Sequence, residues 1–318
     1  MKQTCRLCKK NEANQTGSHI TSAFLLASQI GKRGNEKSFL ISTDPKQNYL
    51  EDRKDKDVKE DYILCSDCEK RLSFIENIFS AEITNKIEVE KYSQNYISVA
   101  AETGIYLNCN KINPIAFHLF FYSVILRISI STQSLYNHFN LEAELEDELS
   151  FLLDLFLPVV INHKVAQSVD NWEKMVEYCQ DLFSFFPYIV LKSRNQSNKT
   201  GNYQWYDNVS KEPYHLMLNE YIILPFFNSL VYEDDFFQLK DHISYVDFLN
   251  NSYDCVKLGI LENELYESII VDLQDQATSA RLKEIRKEVI GNLIANNIPI
   301  DRATVDALVE MEVNKLNM

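Results

Sequence analysis

Glycine and proline are scarce in this chain, seven of each among 318 residues, and tryptophan occurs only twice. Collagen-like and low-complexity chains need far more of the first two, so both classes are excluded. Disorder is excluded by the opposite property. Hydrophobic residues make up 45% and aromatics 12%, ample apolar surface to offset the entropy of ordering the chain. No apolar run reaches the roughly 20 residues of a bilayer span. The longest stretches are 112–130, which contains His118 and Arg127, and 149–161, which contains Asp154. Both read as buried core helices. The opening MKQTCRLCKK lacks the apolar segment of a secretory signal, so the expected location is the cytoplasm. No internal repeat of fixed period is visible.

Positive charge is also in short supply, but unevenly. The formal net charge is −14. Residues 1–72 carry 14 Lys and Arg against 11 Asp and Glu, whereas the remainder carries 18 against 35. An acidic chain with one basic end places any polyanion contact at that end. The candidate contacts there are Arg6, Lys9, Lys10, Lys32 and Arg33.

Cysteine is plentiful, and its spacing is informative. Seven cysteines stand at 5, 8, 65, 68, 109, 179 and 255, and four of them form two Cys-x-x-Cys pairs. A reducing compartment does not sustain disulfides, so paired spacing points to a metal. Two residues between thiols let one tight turn aim both sulfurs at a single ion. Two such turns complete a tetrahedron around Zn²⁺ with bonds of about 2.3 Å. Cys5, Cys8, Cys65 and Cys68 are therefore the expected ligands of a structural zinc, with Arg6, Lys9, Lys10 and Lys70 nearby to favour thiolates. Cys109, Cys179 and Cys255 read as small apolar residues.

Between the pairs lies a 56-residue insert, Lys9 to Leu64, that contains Gly17-Ser18-His19-Ile20-Thr21-Ser22 and closes on Tyr62-Ile63-Leu64. After the second pair, apolar residues at 72, 75, 78 and 79 have helical spacing. The order is thus thiol turn, histidine-bearing strand or turn, long loop, short strand, thiol turn, helix. That order resembles the HNH endonuclease superfamily in its zinc-stabilised form. Ser18-His19-Ile20, then Leu64-Cys65-x-x-Cys68-Glu69 and a later Glu76, looks like a bacterial HNH-like group in which this module precedes a mostly helical domain. The likeness covers about residues 1–80.

The resemblance implies a chemistry for particular residues. His19 matches the general base that activates water, a role its ordinary pKa of about 6.5 suits. A divalent ion, Mg²⁺ or Mn²⁺, would be held by Ser18, Glu69 and Glu76, the glutamates sharing one helical face with Ser73. Ser18 stands where the family pattern has Asp, Glu69 where it has Asn or His, and Glu60 where it has Asn. Thr21-Ser22 replaces Ile-Pro. The implied substrate is DNA or RNA, in a setting of bacterial or phage-related defence. The alternative is a non-catalytic zinc-stabilised adaptor that docks protein or nucleic acid.

The remainder reads as mainly helical. Helices are expected over 113–131, 141–157 and 168–186, with Pro158 and Pro187 ending the last two. The third places Trp172, Met175, Val176, Cys179 and Leu182 on one side. Residues 188–192 and 215–227 are expected strands flanking a polar loop over 195–210, and 255–260 is a third strand. From Glu262 the chain is helical again, and Asp301 is the expected N-cap of a last helix. The expected fold is α-dominant α+β. A zinc-stapled ββα-like module over 1–80 precedes a mainly helical domain with a small antiparallel sheet over 81–262. C-terminal helices over 263–318 would then pack on the core or on another subunit.

Overall fold

The computed structural model describes residues 3–22, 25, 38–41, 50–53, 59–84, 86–87, 89–101, 104–133, 136, 139–162, 186–193, 202–207, 215–218, 220–227, 246–252, 255–296 and 298–316. The most apolar segment lies at its centre. Helix Pro114–Ile130 is buried at all 17 positions. It starts where the sequence can start it: Asn113 Oδ1 accepts the amides of Ile115 and Ala116, and Pro114 supplies a first-turn φ without needing a donor.

In chain order the elements are β1 (Ser18–His19), β2 (Ser38–Ile41), β3 (Leu50–Arg53), β4 (Lys59–Glu60) and α1 (Ser66–Phe79). These are followed by β5 (Tyr96–Ala101), β6 (Gly104–Cys109), α2 (Pro114–Ile130) and α3 (Ala143–Asn162). Next come β7 (Tyr188–Ser193), β8 (Asn202–Asp207), β9 (His215–Leu218), β10 (Tyr221–Pro225) and β11 (Lys257–Leu261). The long helix α4 (Asn263–Ala295) and α5 (Arg302–Leu316) complete the fold.

The fold is mixed α+β, and its sheet is larger than the sequence led us to expect. Nine strands run in the order β3-β2-β8-β9-β10-β7-β11-β6-β5. The β2–β8 and β7–β11 pairs are parallel and the other pairs antiparallel. Alternate residues of the central strands face opposite helical layers, as a period of two requires. Tyr188, Val190, Leu216, Leu218, Tyr221 and Ile223 join one core with α1, α2 and α3. Ile189, Leu191, Met217, Ile222 and Leu224 join a second core with Tyr266, Ile269 and Ile270 of α4. Burial on both faces explains why 188–191 and 221–225 read as continuous apolar runs rather than alternating ones. At Gly259 the sheet leaves no room for a side chain, since a Cβ would lie 2.5 Å from Leu191 Cδ2.

Three local expectations are corrected. Pro158 lies inside α3 instead of ending it. Residues 202–207, expected in a polar loop, form β8. The run 215–227 is a hairpin of two strands, with Tyr221 set opposite Leu218. The insert between the thiol pairs contributes β2 and β3 to the nine-stranded sheet, so the N-terminal segment is knitted into the main body. The helix expected over 168–186 lies outside the described residues. Asp301 caps α5 as expected, with Oδ1 accepting the Thr304 amide at 2.9 Å. No described helix is long and apolar enough to cross a membrane.

Candidate functional site

The first thiol turn closes when the Lys9 amide donates to the Cys5 carbonyl at 2.9 Å, with Lys9 at φ 54°. The Arg6 amide reaches the Ile63 carbonyl at 2.9 Å and the Gln15 amide the Leu64 carbonyl at 3.1 Å. These bonds lace the first pair to the segment carrying the second. Cys65 stands at the N-cap of α1 but its side chain makes no cap bond. Asn14 Oδ1 accepts the Ser66 amide instead, at 2.9 Å. That leaves the Cys65 sulfur to face its three counterparts.

All four sulfurs are buried and lie within 4.8 Å of one another. Bonds of about 2.3 Å to a central ion put tetrahedral sulfurs about 3.8 Å apart. The Cys8–Cys65 separation is 3.9 Å. Asn11 Nδ2 donates to Cys65 Sγ at 3.7 Å, the kind of outer hydrogen bond that orients a metal-bound sulfur. Electrostatics point the same way. A hydrogen bond from Cys68, aided by the backbone near Cys8, Cys65 and Leu7, holds the Cys5 thiol down to about 4. Cys68 is pushed up by that same bond and by burial, and Cys8 is pushed up by burial. Four buried thiols cannot ionise together without a cation among them. The donor set, spacing and burial fit a structural zinc.

A second polar cluster adjoins the first. β1 and β4 form a two-stranded antiparallel pair, Ser18 opposite Glu60 and His19 opposite Lys59. α1 follows, directly after the second thiol pair. Ser18 is wholly buried, His19 half-buried, and Glu69 is next to Cys68 on α1. Burial raises the Glu69 carboxyl above its ordinary value. The Arg127 charge, the Ser18 hydroxyl and the His19 charge oppose that rise. Ser18 Oγ and Glu69 Oε2 are buried with no hydrogen-bond partner among the described residues.

Glu76, one helical face along, is otherwise engaged. Its Oε1 accepts Arg127 Nη2 at 2.6 Å and Ser22 Oγ at 2.7 Å. Glu60, at the position where the family pattern has Asn, is also committed. It receives the Ser131 hydroxyl and the Thr132 hydroxyl at 2.7 Å each, and the Thr132 amide. Arg127 is the residue the sequence reading missed. Its sequence signal was a single cation inside an otherwise apolar helix, where a buried charge demands a partner.

The basic candidates face an acidic helix. Arg6 pairs with Glu146 at 3.0 Å, Lys9 with Asp147, and Lys10 with Asp154 at 2.6 Å, all on α3. Arg71 joins Asp154 at 3.2 Å. The charges expected to meet nucleic acid thus each have an acidic partner on α3, while their side chains stay largely exposed. Lys32 and Arg33 lie outside the described residues. Comparison with protein families, with curated proteins and with solved structures returns no match for this chain.

Proposed function

We propose that this protein is a zinc-stapled, HNH-type hydrolase of nucleic-acid phosphodiesters. The observation that carries the reading is that Ser18 Oγ and Glu69 Oε2, on the strand and the helix that adjoin the four clustered sulfurs, are buried without hydrogen-bond partners among the described residues. The two chain segments that bring the sulfurs together also carry His19, on a strand, and Glu69, on the helix that follows the second thiol pair. In this reading zinc is architectural and His19 takes the proton from the attacking water. Ser18 and Glu69 would hold a divalent ion, which supplies charge neutralisation at the phosphate. One carboxylate and one hydroxyl suit Mg²⁺ or Mn²⁺, ions that keep several waters and often take only one or two protein carboxylates. Glu76 is assigned to Arg127 and not to the ion.

A second reading, the non-catalytic adaptor, is favoured by one specific observation. Glu76 and Glu60 are both tied to protein partners, which leaves Glu69 as the one carboxylate of the cluster not so engaged among the described residues. Plasmid nicking separates the two. With Mg²⁺ or Mn²⁺ the wild-type protein nicks DNA or cuts RNA and His19→Ala does not. Wild-type protein that is inert on both substrates with both ions decides for the adaptor.

A further inference from the structure

We propose that Arg127 is a positioning residue: from inside the helical layer it sets where the His19 imidazole stands. Its consequence for turnover rests on the hydrolase reading, whereas the placement itself is readable without turnover.

The strand bearing His19 is poorly held by its own ladder. β1 has two residues and pairs with the two of β4, in a sheet separate from the nine-stranded one. Two-stranded pairs are marginal even when longer. The flanking Gly17 amide bonds Asp61 Oδ1 at 2.6 Å and the Thr21 and Tyr136 hydroxyls meet at 2.9 Å, and α2 adds a bond at His19 itself. Arg127 Nη1 donates to the His19 carbonyl at 2.9 Å, and Nη2 donates to Ser22 Oγ at 3.2 Å and to Glu76 Oε1 at 2.6 Å. Its Nε returns to the Ser123 carbonyl on its own helix at 3.2 Å. One planar group therefore ties three segments together: the chain around His19, α1 and α2.

The side chain is 2% exposed. A buried ion pair is often no more stabilising than apolar residues of similar volume, so bulk stability is a weak reason to place an arginine here. What the guanidinium offers is a rigid fork with several donors at fixed angles, which an ammonium cannot reproduce. Of its contacts, the bond to the His19 carbonyl is the one that fixes the residue carrying the imidazole.

The test compares Arg127→Lys with Ser22→Ala. Ser22→Ala removes a hydroxyl from the same cluster without touching the His19 carbonyl. The ring resonances of ¹⁵N-histidine-labelled protein, with His19 assigned by His19→Ala, report placement. Bound zinc reports the fold, and Mn²⁺-dependent plasmid nicking reports turnover. Arg127→Lys is expected to retain its zinc while the His19 ring signal shifts or broadens. Turnover then falls by roughly 10- to 100-fold, the scale set by misplacing a reacting group by about an ångström, with KM unchanged. Ser22→Ala is expected to keep both the His19 signal and turnover. Arg127→Gln, which retains a planar amide donor, takes the place of the lysine variant if that variant does not fold. A His19 signal unchanged by the Arg127 substitution overturns the inference, as does a Ser22→Ala signal that moves equally. If wild-type protein nicks nothing while the Arg127 variant still displaces the His19 signal, the positioning role stands and the hydrolase reading falls.

Discussion

Replacing Cys65 by alanine removes one of four sulfurs from a buried cluster, together with the acceptor of the Asn11 amide. The size of the effect follows from what the cluster holds. The backbone bonds Arg6–Ile63, Gln15–Leu64 and Tyr62–Gln15 join the two thiol segments, with a few side-chain bonds such as that of Asn14 to the Ser66 amide. Net hydrogen-bond contributions of about 1 kcal/mol each leave such a knuckle marginal. Structural zinc in small modules supplies apparent binding energies of about 10–16 kcal/mol. Loss of a metal belongs to the few mechanisms whose cost exceeds about 4 kcal/mol. The sulfurs share one continuous apolar core with Leu72, Ile75, Phe79, α2 and the central strands, so loosening the knuckle is felt by the whole body. A loss of about 4 kcal/mol lowers Tm by roughly 6 °C, since an unfolding entropy of about 2.1 cal/mol/K per residue makes each kcal/mol worth about 1.5 °C in a chain of 318 residues. The assay is elemental analysis of purified protein, then thermal unfolding of wild type, Cys65→Ala and wild type stripped with a chelator. One zinc per chain in wild type, and a similar fall in Tm for variant and stripped protein, are expected. Wild-type protein without zinc, or with a Tm indifferent to both treatments, refutes the reasoning.

Two further predictions concern the body of the fold. Burial, opposed by the Ser252 carbonyl, lowers His118 from 6.5 to about 3, so the ring is neutral when folded. The unfolded chain then binds the extra proton. The stability held above pH 6.5 is lost as pH falls through the window from 6.5 towards 3, by about 2 kcal/mol at pH 5. Urea unfolding from pH 7 to pH 5 should show that slope in wild type and a shallower one in His118→Met; equal slopes contradict it. Gly259→Ala sets a Cβ 2.5 Å from Leu191 Cδ2 and 3.4 Å from Phe248 Cγ. Overpacking of this kind costs about 1–3 kcal/mol. The denaturation midpoint should fall and then partly recover in Gly259→Ala/Leu191→Val, which removes the clashing methyl; a double variant no more stable than the single one counts against that geometry.

Local patterns were legible where the physics is local. The two Cys-x-x-Cys turns, the apolar run of α2, the helical spacing of α1 and the Asp301 cap each depend on neighbours within a few residues, and each could be read from the chain. Strand β8 escaped because a pairing partner far along the chain helps to hold it: NYQWYD is polar, yet it pairs with β9 on one side and β2 on the other. Pro158 was misread because surrounding packing carried α3 past a residue that breaks an isolated helix.

The same division runs through the candidate site. Spacing alone identified four sulfurs as one cluster, because a tetrahedral ion accepts few arrangements of thiols. The resemblance to the HNH pattern singled out Ser18, His19 and Glu69, but could not say which acids were already engaged. Arg127 lies 51 residues from Glu76 and 108 from the His19 carbonyl. Only the packing of α2 against α1 brings those charges within hydrogen-bond reach, and it gives Glu76 Oε1 a protein partner that the chain order does not reveal. The acidic face of α3 likewise claims Arg6, Lys9 and Lys10. Sequence determined which groups could carry chemistry; tertiary structure decided which remain available for it, because a side chain's partners are set by distances in space that separation along the chain does not record.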